Sequence, residues 1–176
     1  MLLKVSEDRI VYSEKPEYSR EYTDRLDREY SKYAKVYDVA LKMLPFWKTW
    51  IKKALPYIEG GRVLEASFGT GYLMTYYAGK FDTFGIDYNP RMIETASENL
   101  KKKNLKATLK QADVEALPFP DEYFDSIVNT MAFSGYPDGI KAMSEFYRVL
   151  KTGGKLLLID FEYPVFTFSK TWCPLS

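Results

Sequence analysis

The chain alternates short apolar strands with helical segments five times after Gly61, and this alternation limits the fold more than any other feature. Strands are expected over Arg62–Ala66, Asp82–Ile86, Ala107–Lys110, Phe124–Asn129 and Lys155–Phe161. Helices are expected over Tyr72–Gly79, from Asn89-Pro90 onward, and over Asp138–Leu150. Asn89 reads as an N-cap with Pro90 at the first helical position, and Gly153-Gly154 as a helix stop. The inward faces are expected to be Met92, Ile93, Ala96 and Leu100 on one helix. On the last helix they are Ile140, Met143, Phe146, Tyr147 and Leu150. Such alternation predicts an α/β, doubly wound, mostly parallel sheet with helices on both faces. Ligands of these sheets bind beyond the carboxyl ends of the strands, at the switch point of strand order. The search for function therefore falls on the loops after each strand.

Before Gly61 the pattern differs. Residues 1–20 are polar without a clear period. From about Ser19, a 3.6-residue period carries Tyr30, Tyr33, Ala34, Tyr37, Ala40, Leu41 and Leu44. Pro45 is expected to end that helix, and Trp47 to Leu55 to form another. The organisation expected is a single domain over 1–176, with an N-terminal helical lid over 1–58 and a core over 59–176.

Composition removes several chemistries. There is no histidine, so Ser-His and Cys-His nucleophile pairs and His-based metal sites are out. The lone Cys173 cannot form an internal disulfide, so a reducing, cytoplasmic location is expected, and no metal. No apolar run approaches a membrane span. The net charge of +1 offers no electrostatic case for nucleic acid. The stretch Lys101, Lys102, Lys103, Lys106 and Lys110 reads as a solvated helix end beside a C-terminal dipole.

The first loop is Glu65-Ala66-Ser67-Phe68-Gly69-Thr70-Gly71. Gly69 and Gly71 allow a tight turn and close approach of a ligand, and a following helix start would favour an anionic group. A plain strand-to-helix turn is the simpler alternative. Met74 stands where a dinucleotide fingerprint has its third glycine, which argues against a nicotinamide or flavin oxidoreductase. The second loop holds Asp87, Tyr88, Asn89 and Pro90. A carboxylate ending the second strand can accept both ribose hydroxyls of an adenosine, or simply cap a turn. In the third loop, Asp113 could accept from an adenine amino group, with Ala112 and Val114 contacting the ring; alternatively, Asp113 is an N-cap. The fourth, Asn129-Thr130-Met131-Ala132-Phe133-Ser134-Gly135-Tyr136, follows the central strand.

In order and spacing, these loops resemble the motifs of class I S-adenosylmethionine (SAM)-dependent methyltransferases. Val63 through Gly71 is similar to the first motif, with Glu65 as its acidic residue, and Gly85-Ile86-Asp87 to the second. Asp113 through Asp121, with Phe124-Asp125, resembles the next two, and Arg148 through Leu156 closes the set. Within the superfamily the chain is similar to the ubiquinone/menaquinone-biosynthesis group, whose entry segment resembles Tyr30–Asp38. The resemblance implies a Rossmann-like SAM methyltransferase fold binding SAM and releasing S-adenosylhomocysteine. It implies cofactor contacts from Tyr37, Glu65, Ala66, Ser67, Phe68, Gly69, Gly71, Asp87, Tyr88, Met92, Ala112, Asp113, Val114, Asn129 and Thr130. The acceptor implied is a small or lipid-like molecule. Paired prolines after the fourth strand, which mark amino-group methylation of adenine or glutamine, are absent from Asn129-Thr130-Met131-Ala132.

Transfer from a sulfonium needs mainly orientation and a dry site, which suits a chain without histidine. Tyr30, Tyr33 and Tyr37, with Trp47 and Trp50, are candidates for an aromatic lid over the sulfonium; core packing is the alternative. Should an acceptor need a base, Asp38, Tyr136 and Glu162 are the candidates. Two departures stand out. Ser67 replaces the family's usual first glycine. About fifteen residues follow the fifth strand, where the family continues with a helix and an antiparallel strand pair. The C-terminal strands are therefore expected to be incomplete, leaving an open edge through which a homodimer could pair. The alternative to an active enzyme is a SAM-binding domain without catalytic activity.

Overall fold

The computed structural model describes residues 4–6, 9–11, 45–160 and 166–169. Strands β1 (Lys4–Ser6) and β2 (Arg9–Val11) form an antiparallel pair in a stretch where the sequence shows no period. The lid tyrosines Tyr30, Tyr33 and Tyr37, the base candidates Asp38 and Glu162, and Cys173 lie outside the described residues.

Helix α1 (Pro45–Ile51) runs into a 3-10 segment over Lys52–Tyr57. Pro45 is the first described residue of this helix; the segment it was expected to end lies outside the described residues. The core follows as β3 (Arg62–Ala66), β4 (Asp82–Asp87), α2 (Pro90–Lys102), β5 (Thr108–Gln111), β6 (Phe124–Thr130), α3 (Gly139–Val149), β7 (Leu150–Ile159) and β8 (Phe166–Ser169). The sheet order is β5-β4-β3-β6-β7-β8, with the first five strands parallel and β8 antiparallel to β7. Chain order reverses between β3 and β6, so the switch point lies at the ends of these two strands.

Period-two burial divides each central strand between two apolar layers. Val63, Val128, Leu157 and Ile159 face the layer that includes Ala96 and Leu100 of α2. Leu64, Ala66, Ile127 and Leu156 face the layer of Ala142, Phe146 and Val149 of α3. A strand covered on both sides has no polar face to expose, hence the unbroken apolar run Leu156–Ile159. Asn89 caps α2 through its side-chain oxygen, which accepts from Arg91 N at 2.8 Å, and Pro90 holds the first position.

Three expectations about the core are corrected. The helix expected over Tyr72–Gly79 is a single 3-10 turn, Met74–Tyr76. Gly71 and Gly79 bracket the segment closely, and its buried side chains Leu73, Met74 and Tyr77 all turn into the core, so packing overrides the helix propensity of Leu73, Met74 and Ala78. In α3 the buried stripe is Ala142, Phe146 and Val149, whereas Ile140 and Tyr147 are 54% and 63% exposed. Both sit off the stripe's 3–4 residue spacing, so their hydrophobicity does not bring them inside. Finally, the last parallel strand begins at Leu150, not Lys155. Gly153-Gly154 lies within β7 near an irregularity in its register with β6, and α3 stops earlier, at Val149.

The outer edge of β7 is not open. β8 pairs along it, from Lys155 opposite Ser169 to Leu158 opposite Phe166. The physical reason for expecting a homodimer through that edge is therefore gone. Among the described residues, no helix is long and apolar enough to cross a membrane.

Candidate functional site

The loop after β3 adopts left-handed backbone at alternate residues: Ser67 at φ 55°, Gly69 at 55° and Gly71 at 67°. At Gly71 a Cβ would also sit 2.8 Å from the Ala96 Cβ, so α2 can approach only because no side chain is there. At Gly69 a Cβ would meet nothing within 4 Å, which leaves open space over the loop. Ser67 is the exception to the glycine pattern. Left-handed backbone costs a non-glycine residue roughly 1–2 kcal/mol. Its hydroxyl compensates by bonding the Tyr136 hydroxyl at 2.8 Å, and its N–H donates to Ile86 O at 2.8 Å.

Asp87 closes β4 and is 7% exposed. Gly69 N donates to its Oδ2 at 2.8 Å and Asn89 N to its Oδ1 at 2.9 Å. One carboxylate therefore ties the glycine loop to the start of α2. Tyr88 is exposed beside it, and Met92 is buried in the first turn of α2. The anion-binding helix start expected after Gly71 is reduced to the short 3-10 turn, so this loop has no helix dipole of consequence.

At the end of β5, Ala112 N donates to Asp87 O at 3.1 Å. Asp113 lies half-buried, and its Oδ1 accepts from Glu115 N at 2.9 Å, the local turn that a capping residue makes. Val114 is buried. Glu115, which no sequence argument singled out for a role, reaches across instead: Asp138 N donates to its Oε1 at 3.0 Å. Arg148 acts similarly, donating to Leu117 O, Phe119 O, Asp121 and Glu145. The Glu145–Arg148 spacing was the available signal for this clamp on the 117–121 loop.

Asn129 near the end of β6 is fully buried. Its Nδ2 donates to Ala66 O at 3.0 Å and to the Tyr136 hydroxyl at 2.5 Å, while its Oδ1 has no partner. Thr130 follows half-buried, and Met131 takes a left-handed φ of 58° as the chain leaves the sheet. Two hydrogen-bonded sets, Ser67–Tyr136–Asn129 and Gly69–Asp87–Asn89, thus lie at the strand ends around the switch point. Burial holds the Tyr136 phenol above its ordinary range, against the opposing bonds from Ser67 and Asn129. It is therefore an un-ionised tyrosine at neutral pH.

Removing the Tyr136 hydroxyl leaves Ser67 strained without its partner. Tyr136→Phe is expected to cost about 1 kcal/mol, a fall of roughly 2–4 °C in melting temperature. In that background Ser67→Gly should recover about 1 kcal/mol, because glycine takes left-handed backbone freely. A thermal double-mutant cycle reads both, and additive single effects would contradict the coupling.

Glu65 shares the face of Val63, is 1% exposed, and its Oε2 accepts from the Tyr77 hydroxyl at 2.6 Å. Burial pushes its carboxyl up to about 8; the Tyr77 bond lowers it and nearby Asp87 raises it. Glu65 is largely neutral at pH 7. Trp47 packs on Tyr72 with ring centroids 5.3 Å apart, and Trp50 is exposed. Met74 is fully buried, filling the junction that a dinucleotide fold leaves to glycine.

The residues present suit an adenosyl amino acid. The open space above Gly69, the buried carboxylate of Asp87 and the unpartnered Asn129 Oδ1 would offer such a group room, an acceptor for a diol and an acceptor for an ammonium group. A family model described as Methyltransferase domain matches residues 64–158. The chain is 33% identical over 140 residues to the ubiquinone/menaquinone biosynthesis C-methyltransferase UbiE of Pectobacterium atrosepticum, covering 73% of this chain and 56% of that enzyme. It thus spans little more than half that relative's length. It is 31% identical over 139 residues to the phosphatidylethanolamine N-methyltransferase of Cereibacter sphaeroides, covering 78% of this chain and 68% of that one. Among solved structures, a SAM-dependent methyltransferase from Aquifex aeolicus superposes with a TM-score of 0.58 at 27% identity, covering 62% of this chain and 63% of that one.

Proposed function

The chain belongs to the class I SAM-dependent methyltransferase family, and from that membership we propose that it transfers a methyl group from SAM to a small-molecule or lipid-like acceptor. The observation that carries this reading is Asp87, a buried carboxylate bonded to the glycine loop at the switch point. Bound there, SAM would supply a methyl group on a positively charged sulfur.

In this reading Asp87, at the end of β4, accepts the ribose hydroxyls, and Tyr88 and Met92 border the sugar and ring. Ala112, Asp113 and Val114 hold the adenine. Ala66, Ser67, Phe68, Gly69 and Gly71 shape the floor, with Asn129 Oδ1 accepting from the amino-acid end and Thr130 beside it. Glu65 acts indirectly, as a neutral group that keeps the strand end dry and fixes Tyr77. Tyr37 and the lid tyrosines are proposed to complete the cover. Tyr136 suits positioning better than proton abstraction, because its hydroxyl is occupied twice and its acidity is suppressed. A lipid-like acceptor fits the similarity to relatives named as a ubiquinone/menaquinone biosynthesis C-methyltransferase and a phosphatidylethanolamine N-methyltransferase.

The test is calorimetric titration of the full chain with SAM. It is followed by assay for isotopic methyl entering solvent-extractable product from a quinol or an ethanolamine phospholipid. Binding with transfer is expected. Binding without transfer to any acceptor would favour the non-catalytic reading, and absence of binding would overturn both.

A further inference from the structure

A face of the molecule beside the cofactor loop concentrates cations on aromatic rings. Tyr72, the residue after Gly71, packs against Trp47 of α1 at 5.3 Å and edge-on against Tyr76 at 5.3 Å. The two tyrosine hydroxyls bond each other at 2.8 Å. Three ammonium groups gather on these rings, two from the Pro45–Tyr57 stretch and one from the end of α2. Lys48 Nζ lies 5.3 Å from the Tyr72 centroid, Lys52 Nζ 4.2 Å from that of Tyr76, and Lys103 Nζ 4.9 Å from Tyr76. Lys103 also donates to Thr75 Oγ1 at 3.0 Å. No carboxylate of a described residue pairs with any of the three. Tyr76 remains 39% exposed.

Three lysines placed on rings, with no acidic partner among the described residues, leave a local positive field on a chain of net charge +1. Lysines at the end of α2 need no such arrangement merely to be solvated. Tyrosine and tryptophan with apolar bodies and polar tips, rimmed by lysine, match the chemistry of an anionic bilayer interface. Single-stranded nucleic acid fits less well, since base stacking needs open ring faces and here the rings pack edge-on and carry ammonium groups.

We propose that the face formed by Trp47, Lys48, Lys52, Tyr72, Tyr76 and Lys103 docks on anionic lipid bilayers. Docking through Tyr72 sets the mouth of the adjoining cofactor loop at the lipid surface. This use of the face rests on the lipid-like acceptor proposed above; the docking itself does not.

The experiment is co-sedimentation of the full chain with vesicles of phosphatidylcholine alone, and of phosphatidylcholine mixed with phosphatidylglycerol, at low and high salt. Partitioning onto the anionic vesicles is expected to exceed that onto neutral ones and to fall as salt rises. Each lysine should contribute roughly fivefold, so the combined variant Lys48→Gln/Lys52→Gln/Lys103→Gln should lose about a hundredfold. Circular dichroism and SAM calorimetry on that variant confirm that it remains folded and loaded. Equal partitioning onto both vesicle types, or a variant that partitions like its parent, would overturn the proposal. So would retention on a single-stranded oligonucleotide equal to that on anionic vesicles. SAM calorimetry without vesicles tests the methyltransferase reading separately, so the two failures are distinguishable.

Discussion

Glu65→Gln is expected to raise the stability of the protein at alkaline pH and to flatten its pH dependence. The folded carboxyl titrates at about 8, against an ordinary value of 4.5, so folding takes up a proton between those values. Below about pH 4 the group is protonated in both states and stability is at its full value. As pH rises toward 8 the unfolded chain ionises freely while the buried group does not, and stability falls. Above about 8 the loss levels off. Over that span the linkage amounts to about 5 kcal/mol. Glutamine keeps an oxygen for the Tyr77 hydroxyl and has no charge to bury, so the variant should show little of this slope. Urea denaturation midpoints measured from about pH 5 to about pH 9 decide it. Parallel curves for parent and variant would mean that Glu65 is not the source.

Asp87→Ala should show the second large effect, on stability and cofactor binding together. The substitution removes the acceptor of two backbone N–H groups, Gly69 and Asn89, in a buried setting. Each unsatisfied donor costs about 1–3 kcal/mol, so a loss of about 2–5 kcal/mol is expected unless water enters. SAM affinity should fall by at least the roughly 1–3 kcal/mol of a charge-assisted hydrogen bond, and further because the glycine loop loses its anchor. Asp87→Asn separates the two contributions. It keeps one oxygen for one amide but turns an NH2 toward the other. Retained affinity in Asp87→Ala, measured by calorimetry at a temperature where it is folded, would remove Asp87 from the site.

These predictions rest on different levels of information. Asp87 was legible from sequence because it ends a strand and precedes Asn89-Pro90, a helix start with a specific capping chemistry. Its double duty was not: the bond to Gly69 joins residues eighteen positions apart. The raised carboxyl of Glu65 was equally hidden, since a glutamate in an apolar strand says nothing about what covers it. Tyr77 and the α2 layer decide that. Ser67 looked like a mild departure from a glycine. Only the left-handed backbone shows that the departure costs energy, and only Tyr136, sixty-nine residues away, shows what offsets it.

The alternating sheet, the parallel order and the loops that form the site are determined by local sequence. Strand periodicity, Asn-Pro capping and glycine spacing act within a few residues and override little else. Tertiary structure decides where local preference is weak or evenly balanced. The segment after Gly71 could be helix but closes as one 3-10 turn, and Ile140 and Tyr147 are apolar yet exposed because α3 presents another stripe to the sheet. β8 closes an edge that strand pattern alone leaves open. The physical reason is common to all of these. Burial, pKa and the satisfaction of polar groups depend on what is packed opposite, and a linear sequence specifies its partners only through the fold.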